Sequence, residues 1–519
     1  MTLARWIGLL ALALVAAACG GDDDRTASPD RGGGGARPAS GYSDKPYPDV
    51  TFDNPGVSPF VESDDDRFST FGLDVDTGSY TITRRFVGDG NRPDPDSVRV
   101  EEFVNFFDQG YVLPERETFA IHVDGAPSPY TQFDSNRIIR VGIQAMDVDE
   151  RDRKRAALTF VVDTSGSMDM ENRLGLVQDT LTMLVEELYS DDRVAIVEYG
   201  SEARIVLEPT YVRERGAILD AINGLRARGS TNAAEGLRLG YAVAANTFLE
   251  GETNRVILAS DGVANVGVTS PGGILERVRE DAAVGIQLVT VGFGMGNYND
   301  SLMEQLADDG DGFYAYVDSH DEAERLFVDD LTGTLQTVAG DARIQVEFDP
   351  AFVSYWRLIG FENRALDDDE FRDDRTDAGE IGAGHSVTAL YEVELTRAAE
   401  RDQDARLGRA SLRWIDVDDG EARELTRTIV LTDIAHSFEA AAPRLQLSVL
   451  VAQYAEVLRE SRWATRVDIE LDDLAYDVRV LDRLAREDED VREFIRLVEQ
   501  TPGAGNRDRD DRRDPDRYR

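Results

Sequence analysis

A chain of 519 residues with one cysteine, two lysines and four histidines leaves itself little room for several kinds of chemistry. The lone cysteine, Cys19, excludes an intramolecular disulfide and any metal site built from several thiolates. The histidines (122, 320, 385 and 436) stand in no metal-ligand spacing, so a histidine-centred catalytic site has little to draw on. Positive charge is scarce: 56 basic residues face 101 acidic ones, for a net charge of −45, and only Lys45 and Lys154 are lysines. Without a basic patch a nucleic-acid partner is excluded, and the acidity reads as a solvating surface. Past the first eighteen residues no run approaches the ~20 apolar residues that span a membrane.

What is present begins at the N-terminus. Arg5 supplies a positive start, Trp6 to Ala18 an apolar stretch, and Ala16-Ala17-Ala18 the small residues that precede a cleavage point. A single cysteine at that junction resembles the lipobox of bacterial lipoproteins, with Ala16 standing where that pattern usually has leucine. The resemblance implies that residues 1–18 are removed, that Cys19 is acylated, and that the chain is an exported, membrane-anchored lipoprotein of the bacterial envelope, inner or outer membrane. The alternative is an ordinary secretory signal cut at the same place. Residues 19–66, rich in Gly, Asp, Ser and Pro, are expected to form a disordered tether.

Order is expected from residue 67, with an N-terminal module over 67–118 that includes a helix near 96–111. Strands follow over 119–155. Between 156 and 338 apolar strands alternate with amphipathic helices: "LTFVVD", "RVAIVEYG", "RVILAS", "IQLVTVGFG" and "GFYAYV", with "ARIVLEP" at an edge. Such alternation predicts an α/β unit, a doubly wound and mainly parallel sheet with helices on both faces. Short alternating strands return over 339–434 as in a β-sandwich, so the α/β unit is flanked by a sandwich, or inserted into one, built from both sides. Residues 435–502 have helical period, a first helix reaching "AEVLRES" and a second ending in "VREFIRLVEQ". Residues 503–519 read as a disordered charged tail.

The chemistry gathers at "LTFVVDTSGSMDM" (158–170), where a buried strand runs out into Asp163, Ser165 and Ser167. Ligands bind where loops leave the carboxyl ends of parallel strands, and alternate side chains of such a loop can converge on one point. One carboxylate and two hydroxyls are hard oxygen donors, suited to Mg²⁺ or Mn²⁺ and poor for zinc or copper. Gly166 lets the loop turn tightly. Thr231 in "RGSTNAAEG" and Asp261 in "VILASDGVAN" offer further oxygens from neighbouring loops. Capping without any metal is the bland alternative, but it leaves unexplained an aspartate at the end of each of two buried strands.

Asp163, Ser165, Ser167, Thr231 and Asp261 resemble, residue by residue, the metal-ion-dependent adhesion site of von Willebrand factor type A domains. The flanking "TFGLDVDTGSYTITRRFV" and "RLIGFENRAL…DAGEIGAGHSVTALYEVE" look like the modules that accompany that domain in a family of bacterial envelope lipoproteins. The resemblance implies a Mg²⁺ (or Mn²⁺ or Ca²⁺) ion with one open position, completed by an Asp or Glu of a protein partner, and no enzymatic activity. Two other readings stay open: an assembly lipoprotein whose ion only stiffens loops, and a metal-assisted hydrolase, which lacks a paired His or Glu base near the motif.

Four stretches imitate other sites. "DVDTGSY" fails the metal motif's spacing, since Gly78 and Tyr80 follow where hydroxyls should, and reads as a structural turn. "GHSVT" has Thr388 where a nucleophile elbow needs glycine, which leaves Ser386 on a strand. "GFGMGNYND" lacks the dinucleotide-loop spacing, and "DDGDGFYAYVD" lacks the EF-hand's closing glutamate.

Overall fold

The computed structural model describes residues 47, 50, 52–131, 135–262, 271–295 and 299–504. The expected signal segment, Cys19, the first part of the tether and the tail from 505 lie outside them. The N-terminal flank contributes strands β1 (Val61–Glu62) and β2 (Phe68–Gly72), helices α1 (Gly78–Gly88) and α2 (Val100–Asn105), and strands β3 (Phe119–Pro127) and β4 (Asn136–Ala145). The α/β unit runs β5 (Ala156–Asp163), α3 (Arg173–Glu187), β6 (Arg193–Tyr199), β7 (Ala203–Tyr211), α4 (Arg215–Gly224), α5 (Ala233–Thr247), β8 (Thr253–Ser260), α6 (Pro271–Ala282), β9 (Gln287–Phe293), α7 (Asp300–Asp308), β10 (Tyr314–Val317), α8 (His320–Glu324) and α9 (Leu331–Leu335). Strands β11 (Thr337–Phe348), β12 (Val353–Ile359), β13 (Gly379–Gly382), β14 (Ser386–Leu395), β15 (Arg406–Asp416) and β16 (Ala422–Val430) follow. The chain then continues into α10 (Pro443–Leu458), α11 (Arg462–Arg466), α12 (Leu471–Asp477) and α13 (Glu489–Gln500).

Near-continuous apolar strands give a sheet buried on both faces. Its order is β10-β9-β8-β5-β6-β7, parallel throughout except for β7, which runs antiparallel to β6 at the edge. One face packs on α3, α4 and the 320–335 segment through Leu158, Phe160, Val177, Leu181 and Phe327. The other packs on α5 and α7 through Val161, Tyr241, Leu258 and Met303. The fully buried Arg153–Asp192 pair, 2.7 Å apart, pins the start of β5, because Asp192 also accepts the Ala156 amide at 2.7 Å.

Both flanks share one sandwich. β4 pairs with β14 from Ser386↔Gln144 to Glu394↔Asn136, and β2 pairs with β11. The two sheets, β1-β12-β14-β4-β3 and β13-β11-β15-β16 with β2 alongside β11, enclose Ile139, Val141, Ile344, Val346, Tyr391, Leu412 and Trp414. The α/β unit thus leaves the sandwich after β4 and re-enters at β11. The two crossings touch: the Lys154 amide donates to Gln336 Oε1 at 3.0 Å, and Lys154 Nζ meets Asp418 of the sandwich at 3.1 Å. A second core joins Phe103 of α2 and Phe107 just past its end to Leu450 and Tyr454 of α10 and Phe494 of α13.

Three expectations need correction. The tether does not extend to residue 66. Val50 is buried, β1 pairs with β12, and the Phe60 ring stands edge-on to Trp463 with centroids 5.0 Å apart. At the other end, residues 503 and 504 still belong to the fold, since Ala504 donates to the Thr501 carbonyl at 3.0 Å. The C-terminal region also breaks into more pieces than two helices, with Glu460 (φ 53°) and Asp468 (φ 54°) in the left-handed region between them.

Candidate functional site

The site stands at the carboxyl ends of β5 and β8, adjacent parallel strands paired from Ala156↔Thr253 to Val162↔Ala259. Parallel neighbours deliver their C-terminal loops to the same edge of the sheet, so Asp163 and Asp261, each just past a buried run, come together. Asp163 is 0% exposed and Asp261 3%. The Ser165 amide donates to Asp163 Oδ1 at 2.7 Å, which curls the loop back over the strand end. Ser165 Oγ lies 3.0 Å from Ser167 Oγ, and Ser167 Oγ donates to Asp261 Oδ1 at 3.1 Å. Ser260 adds a further donor, its hydroxyl reaching Asp163 Oδ2 at 3.0 Å. Four of the five expected residues therefore form one hydrogen-bonded chain.

Thr231 arrives on a loop anchored by backbone contacts. The Gly166 amide donates to the Gly229 carbonyl at 3.1 Å and the Arg228 amide to the Thr164 carbonyl at 2.5 Å. Gly229 (φ +83°) is a true glycine position, since a Cβ there would lie 2.7 Å from Ser201 Oγ. Half-buried Thr231 sits one residue before Asn232, which caps α5 by accepting the Glu235 amide. Its hydroxyl makes no hydrogen bond to the other four side chains.

Two participants escaped sequence reasoning. Ser260 is the last residue of an apolar strand and carries no signal of its own. Arg173, at the first turn of α3 and 5% exposed in its side chain, places Nη1 2.7 Å from Asp261 Oδ2. Gly294 (φ +79°) makes room for it: a Cβ there would lie 2.3 Å from Arg173 Nε. Arg173 also approaches Glu171 at 3.9 Å, and Glu171 pairs with Arg85 of α1 at 3.1 Å. Burial pushes the Asp163 carboxyl up to about 6, against the opposing hydrogen bonds from Ser165 and with the help of the Asp261 charge.

These donors fit a small hard cation. Adjacent oxygens around octahedral Mg²⁺ lie about 3 Å apart, which is the spacing found between Ser165, Ser167 and Asp261. With Arg173 on Oδ2, Asp261 has Oδ1 left to offer. The look-alike stretches serve as structure. Asp74 Oδ1 accepts the Asp76 amide at 2.8 Å in a turn before α1. Ser386 opens β14 opposite Gln144, and Asp311 (φ 48°) sits in the turn into β10. Part of "GFGMGNYND", residues 296–298, lies outside the described residues.

Three family profiles match the chain in series: "von Willebrand factor" over residues 47–140, "von Willebrand factor type A domain" over 157–329, and "Uncharacterized protein YfbK, C-terminal" over 333–503. The fold and these matches define a bacterial protein built around a von Willebrand factor type A domain. The chain is 35% identical over 441 residues to the uncharacterized protein YfbK of Escherichia coli (strain K12), covering 79% of this chain and 76% of that one. It therefore belongs to the YfbK family, C-terminal extension included. It is also 32% identical over 203 residues to the uncharacterized protein sll0103 of Synechocystis, covering 39% of this chain and 46% of that one. Among solved structures, a von Willebrand factor type A protein from Catenulispora acidiphila aligns with a TM-score of 0.44 at 14% identity, over 76% of this chain and 91% of that one.

Proposed function

We propose that this chain is a lipid-anchored protein of the bacterial cell envelope. It captures a protein partner through a divalent cation, Mg²⁺ by the donor chemistry, held by Asp163, Ser165, Ser167, Thr231 and Asp261. The ion supplies a positive centre that a partner's Asp or Glu carboxylate can complete. The chain's own residues do the rest. Asp163 carries the buried anion, Ser165 and Ser167 add neutral oxygens that leave the ion's charge uncancelled, and Ser260 and Arg173 fix the two carboxylates in place. The observation that carries this reading is the run of oxygens about 3 Å apart at the strand ends. The anchor rests on Cys19 and the apolar stretch before it.

Capture from envelope extracts, in Mg²⁺ or in EDTA, tests both halves. Asp163→Ala should abolish Mg²⁺-dependent capture and leave the circular dichroism spectrum unchanged, while Cys19→Ser should move the chain from the membrane to the soluble fraction. Capture that persists in EDTA and in Asp163→Ala removes the adhesion-site reading. A Cys19→Ser chain that stays with the membrane removes the anchor.

A further inference from the structure

Between the sandwich and the C-terminal helices lies a cavity of about 80 Å³. One wall is the sheet β12-β14-β4. Arg357 stands opposite Glu392 and Glu392 opposite Ile138, so these three and Asn136, two residues before Ile138, share the face turned toward α10. Gln453 of α10, Trp463 of α11 and Phe60 of the N-terminal flank also line it. Three separate parts of the chain must be assembled before this cavity exists.

Its polar atoms are only partly served. Asn136 is 6% exposed and Arg357 4%. Asn136 Nδ2 donates to Glu392 Oε1 at 3.1 Å, which orients the amide and leaves Oδ1 to accept. Among the described residues no group donates to that oxygen, and none accepts from Arg357 Nε or Gln453 Nε2, all three atoms being buried. Leaving buried donors and acceptors unmet is costly, and three of them on one cavity point to a polar guest. Its charge is constrained too. Arg357 lies between Glu392 at 3.3 Å and Glu456 at 3.4 Å. Burial would raise the Glu456 carboxyl, but the Arg357 and Arg459 charges outweigh it and hold the group below its ordinary range. The guanidinium is thus already matched by acids. An anion would meet Glu392 and Glu456, and a cation would meet Arg357 and the exposed Arg466.

We infer that this cavity binds a neutral carboxamide, its carbonyl oxygen accepting from Arg357 Nε and Gln453 Nε2 and its N–H donating to Asn136 Oδ1. Two donors and one acceptor are the complement of that group. A hydroxyl offers both roles from a single atom. Asn136 and Arg357, however, sit on strands separated by β14, roughly 9–10 Å apart at the backbone, which suits a group whose donor and acceptor are different atoms. Size agrees. A cavity of about 150 Å³ holds a benzene ring, so one of about 80 Å³ takes roughly three or four heavy atoms, a carboxamide and the carbon that bears it. The rings of Phe60 and Trp463 shield the hydrogen bonds from water. Such a group comes on a free small amide or on an Asn or Gln side chain of a polypeptide.

Saturation-transfer NMR on the full chain, with propionamide, propionate and 1-propanol as probes, tests the site. Propionamide should bind in the millimolar range that so small a ligand allows, about tenfold more tightly than either analogue, and equally in Mg²⁺ and in EDTA. Ala452→Leu, which fills the cavity from α10, should abolish binding. Gln453→Leu removes one donor from a half-buried helix position and should weaken binding roughly fivefold; it also serves if Ala452→Leu unfolds. N-acetylglutamine methylamide, with N-acetylmethionine methylamide as its control, separates the two sources: a capped glutamine that outbinds both its control and propionamide assigns the site to a polypeptide side chain, and one that does not assigns it to a free amide. Failure of propionamide to bind, an analogue that binds as tightly, or binding undiminished in folded Ala452→Leu and Gln453→Leu overturns the proposal. So does a propionamide-soaked crystal that shows only water on Asn136 Oδ1, Arg357 Nε and Gln453 Nε2.

Discussion

Buried Arg173 and partly buried Arg364 both sit among carboxylates, and the company each keeps is different. At the strand-end site Arg173 holds Asp261 at 2.7 Å and leaves Asp163 to hydroxyl and amide donors. Where the turn before α1 meets α7, Arg364 stands among Asp74, Asp76, Glu304 and Asp308. The first cluster is nearly neutral around one of its acids and open to donors of neutral oxygen. The second concentrates charge and offers almost no hydroxyls. A site meant to keep its ion attractive to an outside carboxylate needs the first arrangement, since every added anion within the protein weakens that attraction. A site meant to fasten segments together gains from the second.

The comparison can be broken most severely at Arg364. Arg364→Ala leaves the buried Asp74 and Asp76 and the partly exposed Glu304 and Asp308 without their common cation and should cost about 3–5 kcal/mol, read from denaturant melts. An unchanged midpoint would show that the carboxylates hold protons and do not need the guanidinium. A somewhat smaller effect is expected at Glu101 of α2. Burial, and then the Glu362 charge, push its carboxyl up to about 7 from an ordinary 4.5. The unfolded chain ionises this group near its ordinary value while the folded chain still holds the proton. Its contribution to stability is therefore complete below that value and is lost as pH rises to about 7. Glu101→Gln should flatten the decline of stability between about pH 5 and 7 and add about 3 kcal/mol at pH 8. The smallest effect is at the first site. Arg173→Gln removes a fixed positive charge beside Asp261 and should tighten Mg²⁺ uptake by about tenfold. Weaker uptake would mean that the arginine matters more for aiming Asp261 than for its charge.

The meeting of Asp163 and Asp261 was legible in the sequence because neighbouring parallel strands impose it. Asp163 and Asp261 each follow an unbroken apolar run, and two such runs in one sheet must end at the same edge. The α/β fold was legible for the same reason, since strand and helix periods differ. Arg173 was not, because an arginine at the start of an amphipathic helix is ordinary until Gly294, far along the chain, is seen to clear space for it. The fixed part of the N-terminal flank was hidden in a polar stretch whose anchors, Phe60 and β1, find their partners in Trp463 and β12. The divided C-terminal region was hidden too. α10 is buried on nearly every side, so its apolar pattern has no period to lose at its end. The breaks fall at Glu460 and Asp468 rather than at glycine or proline.

The scarcity of lysine turns one contact into a practical handle. Among the described residues Lys154 is the only primary amine on a side chain, and it lies where the inserted unit departs from the sandwich, close to Gln336 where the chain returns. An amine-directed dye would therefore report on that doorway, and its fluorescence would register any swing of the α/β unit against its mount.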